Sequence, residues 1–281
     1  MYFTKIIGME TQKMQNENYT NLYTIIANST ILFMLAYIFV YSFPLIATEY
    51  VATKYGIDIR FKNYTIEYLT PNDSPLWNKD NIIAIFAVGP AITFFMSFFF
   101  WYIAYELRGT KGLFKLFFTW VYILAFNLTF GGLIAGIVTL DGLLYVFNWS
   151  GLSPGLALIL GIVSGFVLFF IGRASKVSFL RAAYNRDWIL MPRAQIIFKL
   201  RVIYLPYFIG SLVLFAVGFP AHSLFYLLQI ATLIIVFLPT MSYYSPDEIR
   251  LSKIKNKQYL AFGFIILLIL HFTILTLFVK L

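Results

Sequence analysis

The chain has 281 residues, of which 60% are hydrophobic and 12% are charged, and its formal net charge is +9. This polar content is too small to coat a soluble domain, and the apolar residues occur in membrane-length runs. The absence of cysteine excludes disulfides, iron–sulfur clusters and thiolate chemistry. Lipid cannot satisfy backbone N–H and C=O groups, and the runs lack the alternation of a barrel, so we predict an all-α polytopic membrane protein.

The apolar runs predict about seven transmembrane helices, within a range of six to eight. The predicted crossings are residues 23–49, 82–105, 116–140, 152–172, 202–219, 221–240 and 258–280. Residues 1–22 form a polar tail without the features of a cleaved signal peptide, so we expect residues 23–281 to form a single integral membrane domain. Trp101, Trp120 and Trp149 fall near predicted helix ends, which is typical of interfacial anchors.

The distribution of basic residues predicts the orientation. In a seven-helix arrangement, sixteen of the 21 Lys and Arg residues fall on one face, in the tail and in the loops 106–115, 173–201 and 241–257. Basic loops stay in the cytoplasm, so we expect a cytoplasmic amino terminus and an external carboxyl terminus in the plasma membrane, which in a bacterium is the inner membrane. Nucleic acid is not needed to explain the positive charge, and no cofactor is indicated.

The longest of these loops interleaves basic and apolar residues, a pattern typical of a segment at a membrane surface. The basic residues expected to bind there are Arg173, Lys176, Arg181, Arg186 and Arg193. Anionic lipid headgroups are the expected contact. The alternative is a docking surface for an acidic cytoplasmic partner.

A short β-hairpin is predicted after the first crossing, because apolar and charged residues alternate between Ile57 and Tyr68. The turn is expected near Lys62 and Asn63. An isolated hairpin is marginally stable in water. We therefore expect it to pack on the membrane helices or to pair with an extended segment of another chain.

Residues 40–145 resemble the site-2 intramembrane metalloproteases in the order of their motifs. The motifs are Tyr55-Gly56-Ile57, the hairpin, Gly89-Pro90-Ala91-Ile92-Thr93 and Leu140-Asp141-Gly142. The resemblance implies that these parts converge, and that residues 152–281 are additional helices. Members of that family place their active site nearer the cytoplasm, whereas the charge distribution places these motifs towards the outer face.

The zinc-binding HExxH motif of that family would fall at residues 44–48, where the sequence is Pro44-Leu45-Ile46-Ala47-Thr48. Neither histidine nor glutamate is present there. Catalytic zinc needs about three protein ligands, and of the family's ligand set only Asp141 remains. The resemblance therefore implies a degenerate, non-proteolytic relative without a bound metal.

Two further polar residues stand out. Asp141 follows an apolar run, and it is either an interfacial helix end, part of a binding site, or an ion or proton site. His271 lies in the middle of the last predicted crossing, where it is either a hydrogen bond between helices or a functional group. The two histidines and Asp141 lack paired ligand spacing, so we predict no metal site.

These observations support three hypotheses of function. The first is a non-catalytic membrane scaffold or accessory subunit, a pseudoprotease that binds a transmembrane or extended segment of a membrane-protein partner. The second is a transporter of a small molecule, lipid or ion that uses Asp141 and His271, and the third is a membrane-embedded hydrolase. We favour the first, because no catalytic constellation is present. The predicted binding residues are Thr48, Gly89, Pro90, Asp141, Gly142 and His271.

Overall fold

The computed structural model describes residues 2–62, 65–107, 114–183, 187–216, 223–245, 249 and 266, with side chains from Tyr23 onward except that of Lys62. Within these residues the chain forms eight helices and a two-stranded antiparallel sheet. The elements are α1 Tyr2–Lys54, β1 Ile59–Lys62, β2 Thr65–Tyr68, α2 Lys79–Glu106, α3 Phe114–Thr139, α4 Leu143–Trp149, α5 Pro154–Leu180, α6 Asp187–Leu190, α7 Pro192–Ala216 and α8 Leu224–Met241.

Six of these helices, α1, α2, α3, α5, α7 and α8, are long and apolar enough to cross a membrane. The prediction of an all-α polytopic membrane protein with a short hairpin is therefore confirmed, together with six of the seven predicted crossings. The seventh, residues 258–280, lies outside the described residues, as does His271. Several helices are longer than predicted, because Lys and Arg are good helix formers and do not end a helix where the apolar run ends.

The crossings alternate in direction, which gives the bundle two different ends. The hairpin end carries β1, β2, the turn between α3 and α4, and the start of α8. We call the opposite end the basic end, because it carries the 173–201 segment with its described lysines and arginines. The sequence predicted this division of charge between two faces.

Trp120 occupies the centre of the core, so its prediction as an interfacial anchor is wrong. It is fully buried, and its ring packs edge-on against Phe33 and Phe179 at centroid distances of 5.1 and 5.0 Å. The indole Nε1 donates a hydrogen bond to Ser29 Oγ (3.1 Å), which in turn donates to the carbonyl of Val202 (2.6 Å). An indole N–H that finds an acceptor inside the protein does not need the headgroup region. Trp101 and Trp149 are exposed on the outside of the bundle.

Part of the apolar surface of the 173–201 segment packs inward at the basic end, whereas Leu190, Met191, Ile196 and Ile197 are exposed. Phe179, Leu180 and Ile189 are completely buried. Lys199 is also buried, and its Nζ donates to the carbonyl of Ser242 at 2.8 Å. Of the residues predicted to bind headgroups or a partner, Arg173 and Arg193 are exposed, Lys176 and Arg181 are half-buried, and Arg186 lies outside the described residues.

The hairpin packs on the helices, one of its two expected environments. Ile59 pairs with Tyr68 and Phe61 with Ile66, which places these four apolar side chains on one face of the sheet. The Tyr68 ring contacts Trp77 at a centroid distance of 5.4 Å and Phe86 at 5.7 Å. These contacts fix the hairpin over the ends of α1 and α2.

Candidate functional site

A cavity of about 270 Å³ lies at the hairpin end of the bundle. Its wall is formed by α1, β2, α2, α3, the turn before α4, and α8. Five of the residues predicted from the sequence line it together: Thr48, Gly89, Pro90, Asp141 and Gly142. They come from α1, α2 and the turn after α3, and the sequence resemblance implied that they converge. The sixth predicted residue, His271, is not among the described residues.

Gly89 allows α2 to approach α1 closely beside the cavity. A Cβ atom at this position would lie 3.3 Å from Pro44 Cβ and 3.6 Å from Thr48 Oγ1. The first of these distances is tighter than an ordinary van der Waals contact. The small residue therefore brings Thr48 and the Gly89-Pro90 pair to the same wall.

A strained turn holds Asp141 at the mouth of the cavity. Leu140 adopts left-handed backbone angles (φ 60°, ψ 39°), which cost a non-glycine residue on the order of 1 kcal/mol or more, and Gly142 follows with φ 60° and ψ −127°. The Asp141 N–H donates to the carbonyl of Gly136 (3.2 Å), and its Oδ1 accepts from the N–H of Gly142 (2.6 Å). The side chain is exposed, so its carboxylate is accessible.

The floor of the cavity is polar although it lies inside the bundle. Thr93 Oγ1 and Thr129 Oγ1 are hydrogen-bonded at 2.8 Å, and Gln229 Nε2 donates to the carbonyl of Leu128 at 3.2 Å. Gln229 is only 4% exposed, and among the described residues its Oε1 has no hydrogen-bond partner. Residues 127–131 form a π-helical turn of α3, a distortion that is frequent at functional sites.

A second layer of hydrogen bonds fixes this floor from behind. Asn127 Nδ2 donates to the carbonyl of Gln229 (2.7 Å), and Thr232 Oγ1 donates to Asn127 Oδ1 (2.8 Å). Sequence reasoning missed these residues. The available signal was the occurrence of Asn127, Gln229 and Thr232 inside apolar runs, where polar side chains are rare and are usually paired.

Tyrosine rings surround the upper part of the cavity. Tyr41 and Tyr226 pack edge to face at a centroid distance of 5.8 Å, and both line the cavity together with Tyr68. Burial, reinforced by Tyr226 and by the charge of Asp141, raises the pKa of the Tyr68 phenol well above its ordinary value. Tyr68 is therefore a neutral phenol at physiological pH, and it keeps its hydrogen-bond donor near Asp141.

The residues around the cavity do not fit the zinc of the family that the sequence resembles. Among the described residues that line it, Asp141 is the only carboxylate, and histidine, lysine and arginine do not occur there. The described part of the chain contains no group of three His, Cys, Asp or Glu residues that could hold a metal ion. Hydroxyls, one amide and one carboxylate can bind a ligand by hydrogen bonds and charge.

Comparison with known proteins gives no relative from which a function could be transferred. No protein family, no curated protein and no solved structure matches this chain. Its function has to be inferred from the cavity and the hairpin themselves.

Proposed function

We propose that the chain is a non-catalytic membrane scaffold or accessory subunit that binds an extended segment of a partner membrane protein. The segment would add to the edge of β2 that faces away from β1 and place side chains in the cavity. The observation that carries the proposal is the position of β2, because Ile66 and Tyr68 both belong to this edge strand and both line the cavity.

The register of the hairpin leaves main-chain groups available for strand addition. The N–H of Leu69 donates to the carbonyl of Asp58 (2.8 Å), so Asp58 and Leu69 form a hydrogen-bonded pair. Such pairs alternate with non-hydrogen-bonded pairs in an antiparallel ladder. Ile66 and Tyr68 belong to the second kind, and their N–H and C=O groups point away from β1. An added strand can bond to these groups, and its alternate side chains would face the cavity.

The size of the cavity favours an extended segment over a transmembrane helix as the bound element. A volume of about 270 Å³ lies just below the usual range for small-molecule sites, roughly 300–1,000 Å³. Such a space accommodates one or two side chains. A whole helix would instead require a long groove along the bundle.

The other two hypotheses receive less support. A transport path would have to continue from the floor towards the basic end, where Phe33, Trp120 and Phe237 fill the interior and are fully buried. A hydrolase needs a nucleophile or an activated water beside an acid–base pair. The cavity offers a single carboxylate among its described lining residues.

From the positive-inside rule we expect the hairpin end on the outer face, so the partner segment would lie outside the membrane and close to its surface. A photo-crosslinking amino acid in place of Tyr68, in cells that contain the natural partners, tests the proposal. The matched control replaces Tyr102, an exposed tyrosine of α2 that does not line the cavity.

We expect the Tyr68 position to crosslink to one short segment next to a transmembrane helix of a single protein, and the Tyr102 position not to crosslink to that segment. Crosslinks from Tyr68 to lipid alone, or the same protein segment from both positions, would reject strand addition at this edge.

A further inference from the structure

We infer that the cavity selects a basic side chain, lysine or arginine, on the partner segment that adds to β2; this inference rests on the proposed function. Two acceptor groups at different depths of the cavity point to it. One is the exposed carboxylate of Asp141, and the other is the amide of Gln229, a lining residue whose buried Oε1 has no hydrogen-bond partner among the described residues.

Asp141 gives the cavity an uncompensated negative charge. Asp141 is the only acidic residue among the described lining residues, and none of those residues is basic. Its Oδ1 accepts a hydrogen bond from the N–H of Gly142, and no basic side chain in the described part of the chain pairs with it. A carboxylate at the edge of a low-dielectric bundle favours a cationic partner.

Gln229 supplies the second acceptor, and its orientation is fixed. Because Nε2 donates to the carbonyl of Leu128, exchanging the two amide atoms would place two oxygens against each other. The Oε1 atom is therefore the one without a partner among the described residues. A buried acceptor is unfavourable until a donor satisfies it, and the N–H groups of a basic side chain are such donors.

The depth of the cavity suits a basic side chain. A Cβ atom on Gly132 would lie 2.7 Å from Gln229 Nε2, and one on Gly136 would lie 2.5 Å from the carbonyl oxygen of Asp141. These glycines are about one turn apart on α3, so the amide of Gln229 and the backbone of Asp141 lie roughly 6 Å apart along the helix axis. The aliphatic stem of a lysine or arginine can span this distance beside the tyrosine rings, whose faces attract cations.

The absence of cysteine allows a direct test with a single introduced thiol. Thr48→Cys places the thiol in the cavity wall, and Asn72→Cys, at an exposed position outside the cavity, serves as the control. Each purified full-length variant, in nanodiscs of uncharged lipid, reacts with cationic 2-aminoethyl methanethiosulfonate and with neutral methyl methanethiosulfonate. The measured quantity is the ratio of the cationic to the neutral rate constant.

We expect this ratio to be about tenfold higher at position 48 than at position 72, because of the charge of Asp141. Asp141→Asn should reduce the ratio at position 48 to that of the control. An unchanged rate with the neutral reagent would show that the cavity of the variant is still folded and accessible. Gln229→Met, which removes the floor acceptor but not the charge, should lower the ratio by a smaller factor.

Equal ratios at positions 48 and 72, or a high ratio that survives Asp141→Asn, would overturn the inference. The assay needs no partner, so its outcome is independent of the crosslinking experiment. Crosslinking from Tyr68 without a cation preference would reject the basic side chain and leave strand addition standing. A cation preference without any protein crosslink would reject the proposed function. The partner segment that is inferred to carry the basic side chain would be rejected with it.

Discussion

The hydroxyl oxygens of Thr93 on α2 and Thr129 on α3 lie 2.8 Å apart and join the two helices at the floor of the cavity. Each hydroxyl also contacts a carbonyl of its own helix, Thr93 with Gly89 (3.2 Å) and Thr129 with Ala125 (3.2 Å). The floor is therefore held by a hydrogen bond between the two helices.

Replacing Thr129 by valine should destabilise the protein by about 1 kcal/mol, the usual size of a hydrogen bond between membrane helices. Thr139→Val is the matched control, because in the described part of the chain Thr139 Oγ1 bonds only to the carbonyl of Ala135 in its own helix. Denaturant unfolding in detergent, followed by tryptophan fluorescence, measures both changes. Equal losses for the two variants would show that the Thr93–Thr129 contact contributes nothing specific.

The turn at the mouth of the cavity should tolerate no side chain at Gly142. A Cβ atom there would lie 3.0 Å from Phe225 Cε2, and the residue has a positive φ of 60°. We expect Gly142→Ala to cost about 2 kcal/mol or more. Melting temperatures of the purified variants in detergent provide the measurement.

Alanine variants of two other glycines serve as controls that distinguish backbone strain at Gly142 from a steric clash of its added Cβ atom. Gly151 has a φ of +79° with open space around it, so Gly151→Ala should cost only about 1 kcal/mol through strain. Gly155, on α5, also has open space and lacks a positive φ, so Gly155→Ala should be neutral or slightly stabilising. A different rank order of the three variants would contradict the geometry of the turn.

Trp120 should be the most costly tryptophan to truncate. Trp120→Ala removes a fully buried ring and leaves Ser29 without its indole donor, so we expect a loss of roughly 3–5 kcal/mol. Trp101→Ala removes a ring that is 47% exposed on the outside of α2, and it should change stability by less than about 1 kcal/mol. A smaller effect at position 120 than at position 101 would place Trp120 outside the core.

Gln195 should hold residues 242–244 against the basic end. Its Nε2 donates to the carbonyls of Ile189 (2.8 Å) and Tyr244 (2.6 Å), and its Oε1 accepts from the Tyr244 N–H (3.2 Å). We expect Gln195→Leu to raise hydrogen exchange at the Tyr244 amide about tenfold or more, because that amide loses its acceptor. Arg193→Leu, at an exposed neighbour, should leave this exchange unchanged. Equal protection of the Tyr244 amide in both variants would argue against the role of Gln195 in holding residues 242–244.

The crossings and the hairpin could be predicted because their signals are local. Apolar runs identify spans, and the alternation from Ile57 to Tyr68 identifies two strands. Thr48, Gly89 and Asp141 could be grouped because the order of short motifs resembled a known family. The structure brings these three residues together at the cavity.

The residues that sequence reasoning missed depend on contacts between distant parts of the chain. Asn127 and Thr232 are 105 positions apart, and neither has a neighbour in sequence that predicts the other. Trp120 was misplaced because nearness to a helix end indicates an anchor, whereas the direction of its side chain depends on α1, α5 and α8. Lys199 falls within the segment predicted to lie at the membrane surface, although the carbonyl of Ser242 binds it inside the protein.

The most direct test of strand addition is a photo-crosslinking scan through positions 65, 66, 67 and 68 of β2. Side chains alternate between the two faces of a strand, so we expect high yields to one partner segment from positions 66 and 68, and low yields from positions 65 and 67. The crosslinked residue on the partner should shift by about two positions between 66 and 68. Equal yields at all four positions, or crosslinks that scatter over several proteins, would contradict the proposed function.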